Sequence, residues 1–229
     1  MNPTLRRDLA VTAIALLLLM MWDFSGLDLL AAHLLGSARG FVLRDTFWTS
    51  TVLHDGGRRA AWVLMALLIV AALRTPAEAP PGRPGRAERW RWIAVMLLVI
   101  VAVPAIKRFS LTSCPWDLSV FGGTAQYVSH WRLGVADGGG GHCFPSGHAV
   151  AAFGFFGLYF LWRPHDAKVA RIWLAAVLLA GALFGTAQLA RGAHYPSHTL
   201  WSAWLCWVVC VAAAQWLPRG TRRTQAAPA

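Results

Sequence analysis

Residues 141–148 combine residue types that bind phosphate and react with it. The segment ends a glycine-rich loop, and an apolar run follows it. Pro145 and Ser146 favour a helix start, because proline lacks an N–H that the first turn leaves unpaired and serine can cap. A helix start offers N–H groups and a positive dipole end to an anion, and Gly147 lets the anion approach the backbone. We therefore expect an anion site with His148 in the first turn of a helix; a plain loop-to-helix junction is the alternative.

Two further polar clusters, residues 107–108 and residues 191–198, place cations and histidines next to apolar runs. A histidine can attack phosphorus directly while cations hold the other phosphate oxygens, so this chemistry needs no metal and we expect no cofactor. A second histidine can protonate the leaving oxygen. The alternative is that each cation is an ordinary anchor at the membrane interface. The candidates in these clusters are Lys107, Arg108, Arg191, His194 and His198.

The composition is that of a membrane protein. Of 229 residues, 57% are hydrophobic and 14% are charged, and the mean hydropathy is +0.49, which is too apolar for an ordinary soluble domain. The net charge of +11 does not indicate nucleic-acid binding, because the arginines lie between apolar runs. We expect an all-α, polytopic integral membrane protein that contacts the bilayer and no nucleic acid; its oligomeric state stays open.

Six apolar segments predict a bundle of six transmembrane helices, since each span needs roughly 20 residues. Residues 23–59 mix apolar and charged side chains, which favours interfacial helices over a span. The predicted spans are residues 9–27, 60–73, 93–106, 146–162, 172–189 and 197–217.

Positive charge predicts the orientation of these spans. Arginine and lysine are concentrated in the N-terminal head, the linker 74–91, the loop 163–171 and the tail 218–229. Six spans place these four segments on one side, which should be cytoplasmic. The long loop 107–144 then faces the periplasm. We expect a single membrane domain, residues 1–229, in a bacterial inner membrane, with the three polar clusters on its outer face.

The three clusters resemble the motifs of the type 2 phosphatidic acid phosphatase superfamily, which are K-x6-R-P, P-S-G-H and S-R-x5-H-x3-D. Their order is the same, the middle motif is intact at residues 145–148, and the resemblance covers roughly residues 60–217. It implies a six-helix core with an outward-facing site. It also implies roles for individual residues: Lys107 as the first-motif lysine, Ser146 and Gly147 as phosphate-binding, His148 as the general acid and His194 as the nucleophile.

The first and third motifs depart from this pattern. Cys114 and Gln188 stand where the family has arginines, and Ala187 stands where it has serine. We expect the nearby Arg108 and Arg191 to replace the lost cations.

His198 replaces the aspartate that orients the nucleophile. Replacing the orienting aspartate of a Ser-His-Asp triad by asparagine costs about 10⁴ in rate. We expect His198 to fix the tautomer of His194, and we consider Asp117 and Asp55 as sources of the missing charge.

The residues therefore predict a hydrolase that removes phosphate from a lipid phosphate or diphosphate through a phosphohistidine at His194. Phosphate transfer to an acceptor lipid and a pseudo-phosphatase that only binds an anionic lipid are alternatives. A metal site is a third alternative, since His194 and His198 have the i, i+4 spacing, although Pro196 lies between them. The candidate ligands would be His142, Cys143, His148, His194 and His198.

Cysteine positions predict a disulfide. Cys114 and Cys143 both lie in the outer loop, where an oxidising periplasm would let them pair and tie the first motif to the second; two free thiols are the alternative. Three predictions are weaker. Residues 137–141 form a lid or a disordered connector, and residues 54–59 either reach the pocket or, as we prefer, form a polar lead-in to the second span. A floor for a lipid path is formed by Trp116, Tyr127, His130 and Trp131.

Overall fold

The computed structural model describes residues 2–77 and 80–217, which are mostly helical. The predicted tail and residues 78–79 of the predicted linker lie outside the described residues. The helices are α1 (Pro3–Phe24), α2 (Leu27–His33), α3 (Gly57–Arg74), α4 (Arg86–Lys107), α5 (Val150–Phe153), α6 (Phe156–Trp162), α7 (Ala167–Ala190) and α8 (Pro196–Trp216). A π-helix, Phe47–Gly56, runs directly into α3. A small hairpin, β1 (Gly36–Ser37) and β2 (Gly40–Phe41), and two 3₁₀ turns, Pro115–Asp117 and Ser119–Phe121, complete the fold.

The starts of α1 and α7 are capped by local side chains, whereas that of α8 is not. The Asn2 side chain caps α1 and the Asp166 side chain caps α7, because each accepts N–H groups of the first turn. Helix α8 begins with Pro196, and its cap comes from another helix: Asp28 of α2 accepts the N–H of Ser197 at 3.0 Å. The start of α8 therefore depends on tertiary packing.

Helices α5 and α6 form the centre of the bundle, with every residue of α6 except Trp162 buried. A helix that is apolar all round is stable only when it is surrounded by other helices. Small residues allow that close approach. A Cβ added to Gly181 of α7 would lie 2.1 Å from the ring of Phe153, and one added to Gly157 would lie 2.7 Å from Met96 of α4.

The described residues contain four helices that are long and apolar enough to cross a membrane, or five if α1 and α2, bent by 64°, count as one span. The predicted fourth span, residues 146–162, contributes only the shorter apolar pair α5–α6. Its predicted start at Ser146 is wrong, because α5 begins at Val150. The N–H of Ser146 donates instead to the carbonyl of His198 in α8, at 3.1 Å.

The second span begins earlier than predicted. Residues 23–59 are not only interfacial, since the π-helix and α3 together form one candidate span, Phe47–Arg74. The polar residues His54 and Asp55 do not interrupt this helix, because their side chains bond to each other at 3.0 Å.

Ion pairs join three of the basic segments at one end of the bundle. Arg163, after α6, bonds both carboxylate oxygens of Asp8 in α1, at 2.8 and 2.9 Å. His165 meets Glu88 at the start of α4, at 2.8 Å. The head, the beginning of α4 and the 163–171 loop therefore lie together, and the three polar clusters lie at the opposite end.

Candidate active site

The three polar clusters meet at one end of the bundle. Lys107 ends α4, residues 146–148 form a turn before α5, and residues 191–198 join α7 to α8. The Lys107 side chain lies against Gly147, with its Cδ 3.6 Å from the position a Cβ on that glycine would occupy. Because Ser146 bonds the backbone of His198, the second and third clusters are in direct contact.

His194 and His198 form a buried imidazole pair. Their side chains belong to residues only 4% and 1% exposed, and their Nδ1 atoms lie 3.5 Å apart. His194 is held by the turn that ends α7, where its N–H donates to the Gln188 carbonyl at 3.3 Å. His198 projects from the first turn of α8. The pair thus has the contact expected if His198 orients His194.

A disulfide joins Cys114 to Cys143, the pairing expected from the sequence. It lies against the imidazole pair, since the Cys143 sulfur is 3.5 Å from Nδ1 of His194. Among the described residues, Cys114, Cys143 and His194 are the group whose ligand atoms lie close enough to hold a metal. Both sulfurs of that group are already bonded to each other, so this donor set does not fit a thiolate metal site. His142 is exposed and does not join the group.

The Pro-Ser-Gly-His segment is a turn and not the predicted helix start. The Ser146 hydroxyl accepts the N–H of Ala149 at 3.4 Å, which closes the turn one residue before α5. Gly147 follows Ser146 in the turn and lies against the Lys107 side chain, with Nζ 4.0 Å from the position of an added Cβ, so backbone, hydroxyl and ammonium groups lie near one another. A hydroxyl, N–H groups and an ammonium ion are the donors that a phosphate needs.

His148 is fixed by the π-helix. Its Nε2 donates to the Leu53 carbonyl at 3.3 Å, and its ring stacks on His54 with centroids 4.5 Å apart. Phe184 of α7 packs against its other side at 5.4 Å. Of the two interpretations of residues 54–59, a segment that reaches the pocket or a polar lead-in to a span, the structure favours the first for His54, which stacks on His148. The polar pair His54-Asp55 inside an apolar region was the signal for that role.

Burial keeps the histidines of the connecting turns neutral. Desolvation, followed by the charge of His54, lowers the pKa of His148 to about 4. The pKa of His194 also lies well below its ordinary value, mainly because the ring is buried and secondly because Lys107 is near. Neutral imidazole is the form that attacks phosphorus, so the site maintains a nucleophile in its reactive state.

The two arginines expected to replace the lost family cations, Arg191 and Arg108, differ in burial and in their distance from the site. Arg191 is 93% buried (7% exposed); its Nε donates to the Arg44 carbonyl at 2.8 Å and its Nη1 lies 3.5 Å from Oε1 of Gln188. It therefore lies beside the position of the family arginine, as expected. Arg108 is exposed at the C-terminal end of α4, and the structure does not bring it to the imidazole pair.

The acids considered as sources of the missing charge lie elsewhere. Asp117 accepts the N–H of Cys114 at 3.3 Å and caps a 3₁₀ turn. Asp55 bonds His54, on the His148 side of the site. The acids nearest to the start of α8 are Asp23 and Asp28, at the bend between α1 and α2. No motif singled them out in the sequence.

The loop 107–144 is ordered by its own polar contacts. Asp137, predicted to begin a lid or disordered connector, is buried and accepts the N–H and the hydroxyl of Ser113 at 2.6 and 2.7 Å. The predicted lipid floor has other partners: Trp131 and His130 bond Asp23, and the Trp116 ring lies 4.4 Å from the Arg44 guanidinium.

Comparison with known proteins identifies the family. The model of the PAP2 superfamily matches residues 89–222, well over half of the chain. Neither the curated proteins nor the solved structures contain a match. Members of the superfamily are phosphatases that hydrolyse phosphoric esters, so phosphatase-type activity on phosphate esters is indicated. The chain belongs to the PAP2 superfamily.

Proposed function

We propose that this protein is a membrane lipid phosphatase that hydrolyses a lipid phosphate or diphosphate through a phosphohistidine at His194, without a metal. The observation that carries the proposal is the meeting of Lys107, the 146–148 turn and the His194–His198 pair in one buried site. In a PAP2 member, these groups have the chemistry that phosphoryl transfer needs: a nucleophile, an acid and phosphate-binding donors.

Two histidines divide the reaction between them. Nδ1 of His194 faces His198 and the disulfide, so Nε2 is the nitrogen left for attack. Its lone pair forms the N–P bond while the bond from phosphorus to the ester oxygen breaks. His148 gives a proton to that oxygen, so it must first be protonated; the negative charge of the bound phosphate favours this by raising the pKa of His148 from the low value that burial causes. Water then attacks phosphorus, the N–P bond breaks, and the proton of the water returns to His148. Inorganic phosphate and neutral His194 result.

Lys107 and Arg191 are the cations proposed to hold the equatorial phosphate oxygens, with Ser146 and Gly147 supplying hydroxyl and backbone donors. Lys107 lies over the glycine. Arg191 is close enough to His148 for its charge to add to burial and to the charge of His54, which lower the pKa of that histidine more strongly. Gln188 adds an amide group whose buried Nε2 has no hydrogen-bond partner among the residues that the structure describes. An unpartnered buried donor beside an arginine is suited to bind one more phosphate oxygen.

An apolar groove favours a lipid as the substrate. It has a volume of about 200 Å³ and lies between α3, α5 and α7. Its lining includes Phe184, which also packs against His148, together with Ala151 and Ala152 one turn beyond that histidine. The groove therefore starts beside the proposed general acid, where the leaving group of the ester would lie. A hydrocarbon chain is the ligand that such a wall accommodates.

The membrane arrangement is part of the same proposal. We place α1–α2, the π-helix with α3, α4, α5–α6, α7 and α8 as six spans of a bacterial inner membrane. The basic segments joined by the Asp8–Arg163 and Glu88–His165 pairs would face the cytoplasm. The active site would then face the periplasm, where the Cys114–Cys143 disulfide is stable.

A lipid-binding pseudo-phosphatase is the second candidate, and Gln188 and His198 are the observations that favour it. Phosphate release from a panel of purified lipid phosphates and diphosphates, with chelator present, separates the two. We expect release by the native protein and none by His194→Ala. Lipid binding without release from any substrate, by folded protein, would support the pseudo-phosphatase, and release only with an acceptor lipid would support a transferase.

The groove has its own test. We expect Ala180→Phe, which fills the groove, to raise KM for long-chain lipid phosphates by at least tenfold and to leave a short-chain soluble phosphomonoester unaffected. Ala182→Phe is the matched control, because Ala182 is exposed on the same helix and does not line the groove. If both variants raised KM equally, or if Ala180→Phe lost as much activity on the short-chain substrate as on the long-chain one, the groove would not be the binding site of the lipid chain.

A further inference from the structure

We infer that Asp23 positions the His194–His198 pair and so replaces, from a different part of the chain, the carboxylate that the third motif lacks. The inference rests on the proposed function. Asp23 lies at the end of α1, outside residues 89–222 that match the family. The carboxylate would therefore come from a segment that the family motifs do not include.

Asp23 is a buried carboxylate with three N–H partners on one oxygen. Its Oδ2 bonds Nε2 of His130 at 3.0 Å, Nε1 of Trp131 at 2.8 Å and Nε1 of Trp201 at 3.0 Å. The side chains of Asp23 and His130 are 3% and 8% exposed. Three hydrogen bonds to one buried, charged acceptor hold these rings in place, and Trp131 is the most exposed of the three partners.

Two of these partners lead directly to the imidazole pair. Trp201 lies in α8, three residues and almost one turn beyond His198. The His130 ring stacks flat on Phe144, with centroids 3.9 Å apart, and meets the His198 ring edge-to-face at 5.9 Å. Phe144 meets His198 in the same way at 5.2 Å. Two of the rings that contact His198 therefore depend on Asp23: His130 through its hydrogen bond, and Phe144 through its stacking on His130.

Ring orientation matters because His198 must present a lone pair to His194. If Nε2 of His194 attacks, the proton of the His194 ring is on its Nδ1. That N–H then donates a hydrogen bond to Nδ1 of His198. That bond is already 3.5 Å long, so a small rotation of the His198 ring would remove it. A family aspartate would make this contact itself, whereas here an uncharged imidazole makes it and Asp23 keeps the imidazole in place.

Asp28, the neighbouring acid, also holds helix α8, but its hydrogen-bond partners are Ser197 and Trp22 and not the rings of His194 and His198. Asp28 accepts the N–H of Ser197 at 3.0 Å and also bonds the Ser197 hydroxyl and Nε1 of Trp22. It therefore fixes the first turn of α8, while Asp23 fixes the rings around His198. Together the two acids connect the α1–α2 bend to the turn that carries the imidazole pair.

The test compares Asp23→Asn, Asp23→Glu and Glu88→Gln. Glu88 is a matched control, because it also forms a buried pair with a histidine, His165, but at the opposite end of the bundle. We expect Asp23→Asn to lower kcat for lipid phosphate by about 10- to 100-fold, with KM changed less than twofold. The range is taken from the loss of a carboxylate behind a metal-bound histidine, which also acts through the ring that it orients. Asp23→Glu should restore at least a third of the decrease in log kcat that Asp23→Asn causes. Glu88→Gln should retain the native kcat.

A second measurement does not depend on turnover. In protein labelled with ¹⁵N-histidine, we expect Asp23→Asn to shift the imidazole resonances of His194 and His198 from those of one tautomer towards a mixture, and Glu88→Gln to leave them unchanged. Native kcat and native resonances in Asp23→Asn would overturn the inference, as would equal losses in Asp23→Asn and Glu88→Gln. If the native protein released no phosphate, the proposed function would fail, whereas the resonances would still decide the role of Asp23.

Discussion

His194 and His198 meet through their Nδ1 atoms at 3.5 Å, although Pro196 lies between them in the sequence. The contact forms because His194 belongs to the turn after α7 and His198 to the first turn of α8. When both rings are neutral, one imidazole must donate and the other accept, so only one of the two Nδ1 atoms carries a proton.

Replacing His198 tests this contact. We expect His198→Ala to lower kcat by at least tenfold, since His194 loses its acceptor. His198→Asp restores the residue type of the family motif and should exceed His198→Ala in kcat by at least tenfold, because a carboxylate also stabilises positive charge on His194. The measurement is phosphate release, with thermal unfolding to verify folding. Equal kcat for the two variants would contradict an orienting role for position 198.

Lys107 and Arg108 are adjacent in the sequence but should differ in importance. Lys107 is half-buried against Gly147, whereas Arg108 is exposed. We expect Lys107→Ala to lower kcat/KM by at least 100-fold, about 2.7 kcal/mol of transition-state stabilisation, and Arg108→Ala to lower it less than threefold. The kcat/KM of both variants is measured with lipid phosphate in vesicles of the same composition. A larger loss in Arg108→Ala would mean that the wrong cation has been assigned.

The Cys114–Cys143 disulfide should contribute to stability as well as to the site. For a sequence separation of 29 residues, the chain-entropy model gives about 3–4 kcal/mol. We therefore expect a reductant to lower the thermal unfolding midpoint and the phosphatase rate of the native protein. The double variant Cys114→Ala/Cys143→Ala is the control, since its midpoint should already be low and should not respond to the reductant. If the reductant also lowered the unfolding midpoint of the double variant, the effect on the native protein would come from groups other than this disulfide.

Acid should destabilise the protein through its buried histidines. Burial lowers the folded-state pKa of His148 to about 4 from its ordinary value of 6.5, so between these values the unfolded chain binds a proton that the folded protein does not. Stability then falls as the pH falls from 6.5 towards 4. We expect the unfolding midpoint to decrease over this window, and to decrease less in His148→Gln. The same pH dependence in both proteins would contradict the low pKa of His148.

Asp137 should act on the outer loop through structure alone. It accepts the buried N–H and hydroxyl of Ser113 and the N–H of Gly139. Asp137→Ala leaves these donors unpaired, which should cost about 1–3 kcal/mol and expose the loop to proteolysis. Asp45→Ala is the control, because the Asp45 side chain is 80% exposed. Equal protease resistance in the two variants would mean that Asp137 does not brace the loop.

Much of the architecture follows from local sequence. The apolar runs gave most of the helices, because an amide backbone in an apolar environment must bond within its own segment. The basic segments indicated which ends lie together, and the Asp8–Arg163 pair places two of them in contact. The run from Phe47 is predicted to be interfacial, because His54 and Asp55 are polar. In the structure it is part of a candidate span, in which these two side chains bond to each other.

The three polar clusters, the intact Pro-Ser-Gly-His segment and the Cys114–Cys143 pairing were all available from the sequence by itself, because each depends on residue type and short spacing. What only the tertiary structure decided is which groups surround them. Asp23, His54 and Asp28 reach the clusters from segments more than 90 residues away along the chain, and Ser146 bonds α8 instead of starting a helix. Spacing along one segment cannot encode such contacts, because they depend on how separate helices pack.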